Sequence, residues 1–342
     1  MSESRLKILY LGGGSFYDDQ CDALRRCGHD VRQIDPNLPW KENWFLWRWI
    51  YETGGVGVNR IACSKMANKI GDEHFDIAWV GGGALLSPSF LEALRRNCKL
   101  IINYNPDNPY VSRDRQLWRL FRTTVPNYDL IVVPRRSNIE QAIQAGAKNV
   151  RFEFFAADES VLLNIGDSDD RFYRRKQGVV FAGTWMPGRG AFLLKLIESG
   201  VPLRIYGQRW RRAPEYEKLR NCVVDAPAWG RAYREAIASA WIALGLLSEG
   251  NCDLHTTRSM EIPAIGAVFC AKRTSDHEEL YDDKKEAVFW TGPEDCAQIC
   301  LDLLSDAGRM KSIIRSGRAR ALENGHFNEK LVTKVLDAAH SL

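Results

Sequence analysis

Ile8-Leu9-Tyr10-Leu11-Gly12-Gly13-Gly14-Ser15 and, half a chain later, Val179-Val180-Phe181-Ala182-Gly183-Thr184 decide the fold. Each is a short, continuous apolar run that breaks at glycine, which is how a strand buried on both faces and followed by a tight turn reads. Outward from the first, residues 31–34, 77–80, 100–105, 130–133 and 150–155 repeat the strand pattern; around the second, 203–206, 223–224, 242–247, 268–271 and 287–290 do so. Helical patterns separate them: residues 18–27 stopped by Gly28, residues 88–97, and residues 138–145, opened by Ser137 and Glu140 at capping-box spacing. Strand and helix alternating at this spacing predict parallel, doubly wound sheets. The alternation stops once and restarts, so the expected fold is α/β, two Rossmann-like domains with parallel sheets facing a central cleft. The expected boundaries are residues 1–160 and 178–325, with a polar linker at 161–177. A last helix at 326–342 is expected, by fold analogy, to cross back to the first domain.

The 342 residues suit two cores, and 45% hydrophobic with 26% charged content is that of a soluble globular protein. No apolar run approaches the roughly 20 residues that span a bilayer. The segment 1–7 lacks the blocks of a signal peptide, so a cytoplasmic location is expected. Nine cysteines, an odd number scattered through apolar segments, read as reduced core residues. Cys296 and Cys300 sit at i, i+4, but without a neighbouring Cys-x-x-Cys or His pair they predict no metal site. Asp167-x-Asp169 resembles a metal-binding acid pair, yet it falls in the linker and reads as a solvated charge run. A net charge of +4 argues against nucleic acid as partner and suits a modest basic surface facing phosphates or anionic lipid.

In the first domain Gly13, Gly14 and Ser15 join a strand to a helix, so their amides and the helix start can approach an anion. The spacing is not Gly-x-Gly-x-x-Gly, since Tyr17 stands three positions beyond Gly14, and the plain alternative is a tight turn. Gly81-Gly82-Gly83 is a similar turn. In Asn103-Tyr104-Asn105-Pro106-Asp107-Asn108-Pro109, Asp107 follows a strand and is the candidate for acceptor binding or base chemistry; the alternative is a turn in which Asp and Asn cap backbone groups. Trp44, Phe45, Leu46, Trp47, Trp49 and Ile50, with Lys41 and Arg48 among them, read as helix core and packing. A peripheral membrane contact for a lipid-linked acceptor is the second reading of that block.

In the second domain Gly183 and Thr184 turn into a helix opened by Arg189, whose guanidinium can clamp a diphosphate while turn amides bind its oxygens. Gly207 and Arg209 end the next strand in the same way. His255, Arg258 and Glu261 lie at i, i+3 and i+6 on an expected helix before Ile262-Pro263-Ala264-Ile265-Gly266. Arg258 offers donors to phosphate, Glu261 can accept two ribose hydroxyls, and His255 can donate to phosphate or move a proton. A solvated ion pair is the plain reading of an Arg and a Glu three apart.

These residues resemble a known family. Arg258-Ser259-Met260-Glu261-Ile262-Pro263-Ala264-Ile265-Gly266-Ala267, with Arg273-Thr274-Ser275-Asp276-His277-Glu278-Glu279-Leu280 behind it, is similar to the R-x-x-E-x-P-A-x-G element of the CgeB-like spore maturation glycosyltransferases, relatives of the family 4 GT-B enzymes. Weaker matches are Phe75-Asp76-Ile77, Asp107-Asn108-Pro109, Tyr128-Asp129-Leu130 and Tyr206-Gly207, so the resemblance covers nearly the whole chain. It implies a hexosyltransferase-like enzyme with no cofactor and no obligatory metal. A nucleotide-diphosphate sugar would be the co-substrate, with Glu261 at its ribose and a glycan, lipid-linked or protein acceptor. The chain departs from family 4 where that family carries a first glutamate eight positions before the second: here Asp253 stands there, with Glu249 further off. Two alternatives follow from the departure and the fold, a nucleotide-sugar epimerase and a silent nucleotide-binding assembly protein.

Overall fold

The computed structural model describes residues 5–162, 177–227 and 229–342. They form two units: one takes the chain up to Asp158 together with Gly250–Cys252 and Phe327–Leu342, the other Glu159–Glu249 and Asp253–His326. Most of the expected linker, Asp167 and Asp169 included, lies outside the described residues.

The first unit holds six strands, β1 (Lys7–Leu11), β2 (Asp30–Ile34), β3 (Phe75–Gly81), β4 (Cys98–Tyr104), β5 (Leu130–Val133) and β6 (Val150–Phe152), all parallel in the order β2-β1-β3-β4-β5-β6. Alternate side chains serve two cores, which is why the strands read as unbroken apolar runs. Leu9, Leu11, Val80 and Ile101 pack with Ala62, Met66 and Ile70 of the helix Val58–Ile70. Ile8, Tyr10, Ile77 and Trp79 pack instead with Leu24 of the helix Ser15–Arg26 and with Leu331, Val332, Val335 and Leu336 of the helix Asn328–His340.

The second unit repeats the plan with β7 (Gln177–Ala182), β8 (Leu203–Tyr206), β9 (Val223–Val224), β10 (Ala240–Gly245), β11 (Val268–Lys272) and β12 (Val288–Trp290), parallel in the order β12-β11-β10-β7-β8-β9. Val179, Ile205, Ile242 and Cys270 meet Leu193 and Leu196 of the helix Arg189–Glu198 and Cys296, Cys300 and Leu303 of the helix Pro293–Leu304. Among the described residues, no helix is long and apolar enough to cross a membrane.

Three local expectations are corrected. The helix Ser137–Gln144 has Arg136 at its N-cap position and no side-chain cap, so Ser137 and Glu140 form no capping box. The guanidinium of Arg136 lies 4.3 Å from the Phe152 ring centre, and that stacking anchors the helix start instead. β6 ends at Phe152 and not at 155, where Phe152 and Phe154 meet edge to face. β10 ends at Gly245, two residues short of the expected 247, because the carbonyls of Leu246 and Leu247 turn to another partner described below.

Candidate active site

In each sheet the strand order reverses once, between β1 and β3 in the first and between β7 and β10 in the second. Ligands of open α/β sheets bind at the carboxyl ends of the strands at such a point. Both glycine turns singled out in the sequence fall there.

The first of these points is filled by the unit's own side chains. Gly14 starts the helix Ser15–Arg26 at φ 106°, a conformation that suits glycine. A Cβ on Gly13 would stand 2.4 Å from a carboxylate oxygen of Asp35, and one on Gly81 2.5 Å from the Tyr17 ring. Asp35 therefore lies against the Gly13-Gly14-Ser15 turn and Tyr17 lies across Gly81. An incoming phosphate at Gly13 would stand beside that carboxylate, while Gly14 and Ser15 are exposed.

Asp107 follows β4 in an Asx turn, its amide donating to Asn105 Oδ1 at 3.0 Å. Its carboxylate is 38% exposed and accepts from Arg113 at 2.9 Å and from Asn251 at 3.4 Å. Arg113 also binds Asp114, to which Tyr51 and Trp118 donate.

The second of these points holds a cation. Gly183 donates to Tyr206 O at 2.9 Å, and Gly207, at φ 145°, crosses so close that a Cβ there would stand 2.1 Å from Gly183 O. This crossing shapes the turn Gly183–Gly188 ahead of the helix Arg189–Glu198. Arg189 reaches back across β7 and β10: it donates to the carbonyls of Thr184 at 2.8 Å and of Leu246 and Leu247 at 3.3 Å each. Its guanidinium lies 5.5 Å from the Phe181 ring centre. No carboxylate pairs with it among the described residues, and its Nε is buried without a hydrogen-bond partner. Burial first, and then repulsion from Arg258, push its pKa down to about 10, partly offset by Asp253. Arg209 is exposed beside this turn in a left-handed backbone, φ 64°.

Arg258 and Glu261 lie on the helix Thr257–Ile265, whose N-cap Thr256 and Ser259 form a reciprocal capping box. Arg258 pairs with Glu261, and its guanidinium lies 3.9 Å over the Tyr233 ring. Burial works against its charge, but Glu261 and Tyr233 outweigh that and hold its pKa above the ordinary value. His255 precedes this helix, contrary to its expected place on it. Its imidazole is 1% exposed, with Nδ1 2.7 Å from Asp276. The expected role in proton transfer to a ligand is therefore corrected: His255 offers a ligand almost no surface.

A neighbouring histidine, His277, braces the same helix. Its Nδ1 donates to Lys272 O at 2.7 Å, which makes Nε2 the acceptor for the Ser259 hydroxyl at 2.9 Å. Burial depresses its pKa to about 4, so it is neutral at physiological pH.

Among the described residues, Cys270, Cys296 and Cys300 are the group whose ligand atoms lie together, within 4.8 Å, and all three are buried. The sequence paired only the last two; Cys270 comes from β11. Hydrogen bonds to its two neighbours, and then burial, hold the Cys270 thiol well up, while hydrogen bonds from Cys270 and Cys296 hold the Cys300 thiol well down. A groove of about 350 Å3 lined by Arg273, Asp283, Phe289, Thr291, Asp295 and Arg309 contains none of the candidate residues.

Residues 189–337 match the family model described as glycosyl transferase-like. The fold is that of sucrose-phosphate synthase from Thermosynechococcus elongatus, with a TM-score of 0.69 at 12% identity over 98% of this chain and 100% of that one. Anabaena HepE in complex with UDP-glucose superimposes with a TM-score of 0.64 at 11% identity over 99% and 100% of the chains. An α,α-trehalose-phosphate synthase (UDP-forming) from Burkholderia xenovorans gives 0.63 at 10% identity over 98% and 100%. No curated protein matches in sequence. The family match covers residues 189–337, and the two-sheet architecture is the GT-B fold of these solved structures.

Proposed function

We propose that the chain is a glycosyltransferase, that it draws its sugar from a uridine diphosphate sugar, and that Arg189 and Arg258 hold the diphosphate. The observation that carries this is the state of Arg189. It is a half-buried guanidinium at the switch point of the second sheet, held by carbonyls alone, with a second cation near enough to depress its pKa. Arg189 has hydrogen bonds to carbonyls and none to a carboxylate among the described residues, so an anionic ligand can supply the charge partner it lacks. As the glycosidic bond to the diphosphate breaks, charge develops on the leaving phosphate, and these groups stabilise it in place.

Glu261, which shares its carboxylate with Arg258, accepts the ribose hydroxyls. Gly183, Thr184, Gly207 and Arg209 supply the backbone and the outer cation of the same turn region. His255 and Asp276 position the loop ahead of the Arg258 helix. Asp107, held by Arg113, is the acceptor-side candidate, and the acceptor is a glycan, a lipid-linked or a protein hydroxyl. The reaction needs no metal in this reading. The CgeB-like assignment and a cytosolic setting belong to the proposal too; nine cysteines left as thiols support the latter. Uridine is chosen because HepE was crystallised with UDP and UDP-glucose and the trehalose-phosphate synthase is UDP-forming.

A thermal-shift panel of UDP, GDP, dTDP and ADP, with metal chelated, tests the reading. UDP is expected to raise the melting temperature in the wild type and not in Arg189→Ala. No shift with UDP at millimolar concentration would sink it.

A further inference from the structure

Six of the eleven exposed large hydrophobic side chains among the described residues fall between positions 38 and 61, all in the first unit. Scattered exposed apolar residues are ordinary, but this concentration is not. The helix Trp44–Thr53 turns Ile50 into the core and sends Trp44, Phe45, Arg48 and Trp49 outward, four positions that share one face at helical spacing. Trp44 is 63% exposed and Phe45 76%. Their rings meet edge to face at 4.8 Å, with the Arg48 guanidinium 5.7 Å from the Trp44 ring centre.

Trp49 donates to Val56 O at 3.0 Å, which ties the loop bearing exposed Val56 to this face. The next helix, Val58–Ile70, buries Val58, Ala62, Met66 and Ile70 and exposes Arg60, Ile61, Lys65 and Lys69. Between positions 42 and 69 the acids are Glu42 and Glu52, and Glu52 is paired with Arg115. The exposed side chains of these two consecutive helices thus combine aromatic and aliphatic groups with Arg48, Arg60, Lys65 and Lys69.

We infer that this face seats the first unit on an anionic phospholipid surface. Tryptophan and phenylalanine suit the boundary between headgroup and acyl chain, and the long basic side chains lay their stems on the apolar face while their charges reach lipid phosphates. A protein partner of matching chemistry would need its own acidic rim, whereas an anionic bilayer supplies the complementary charge everywhere. The face goes beyond the donor reading and lies on different residues.

Co-sedimentation with phosphatidylcholine vesicles, with and without phosphatidylglycerol, tests it. The wild type is expected to bind the anionic vesicles and to be released by about 0.5 M salt. The double variant Trp44→Ser, Phe45→Ser is expected to bind at least about tenfold less, since it removes the two most exposed apolar groups. Its melting temperature and its response to UDP should not change, because both side chains face solvent. Equal binding by variant and wild type, or no binding to anionic vesicles, overturns the inference. So does a wild-type dimer that the variant splits into monomers, which would make the face a protein interface. Vesicle binding and the UDP shift can each fail without the other.

Discussion

The two glycine turns, Gly12-Gly13-Gly14-Ser15 after β1 and Gly183 to Gly188 after β7, occupy the same place in two sheets of the same plan. They differ in what the neighbouring chain delivers to them. Asp35, beyond β2, puts a carboxylate on the first turn, while Arg189, in the first turn of its own helix, puts a guanidinium over the second. The glycines decide that backbone can come close. The sign of the ligand that can follow is decided by one side chain from outside the glycine motif.

Removing the second cation breaks the contrast most severely. Arg189→Ala is expected to lower turnover by about 100- to 1,000-fold, the effect of losing one group that stabilises developing charge. The assay is release of UDP from the donor, and the melting temperature should hold or rise, since a half-buried cation without a carboxylate partner has gone.

The positive turn also depends on the bracing of the Arg258 helix, and His277 makes that bracing pH-dependent. Its pKa is about 4 when folded against an ordinary 6.5, so the unfolded chain binds the extra proton between those values. Stability is fully present above pH 6.5 and is expected to fall by about 3 kcal/mol as pH drops through 4. Chemical denaturation across that window should show the loss, and His277→Gln should flatten it.

Gly207→Ala sharpens the geometric half of the comparison. A methyl group there meets the Gly183 carbonyl at a φ that disfavours side chains, with an expected loss of about 2 to 3 kcal/mol. Gly28→Ala has a positive φ but open space, so its loss should be nearer 1 kcal/mol, both losses being read by urea titration. The smallest effect is expected in the first turn: Asp35→Asn should leave the UDP-induced shift unchanged. A lost shift would place the donor at the first turn instead of the second.

The strands were legible because a parallel strand buried on both faces has one signature, and residues 77–80 or 203–206 carry it without competition. Expectation overran the structure where tertiary partners ended a strand early. Leu246 and Leu247 are as apolar as the strand before them, yet their carbonyls are claimed by Arg189, 57 and 58 positions away. The site was legible as glycines and arginines after strands. Its wiring was not: the pairing of His255 with Asp276 spans 21 positions, and Tyr233 under Arg258 sits on a different helix. Asp35 stands outside the glycine motif in the sequence, and only the fold lays it against Gly13.

The helix Asn328–His340 has a consequence for the order in which the protein is made. Leu331, Val332, Val335 and Leu336 complete a core that begins with Ile8 and Tyr10, so the earliest strands to leave the ribosome wait for the latest helix. The second unit ends at His326 and has its whole sequence available first. Chains usually fold from the N-terminus as they emerge, but here the first unit synthesised is the last that can close.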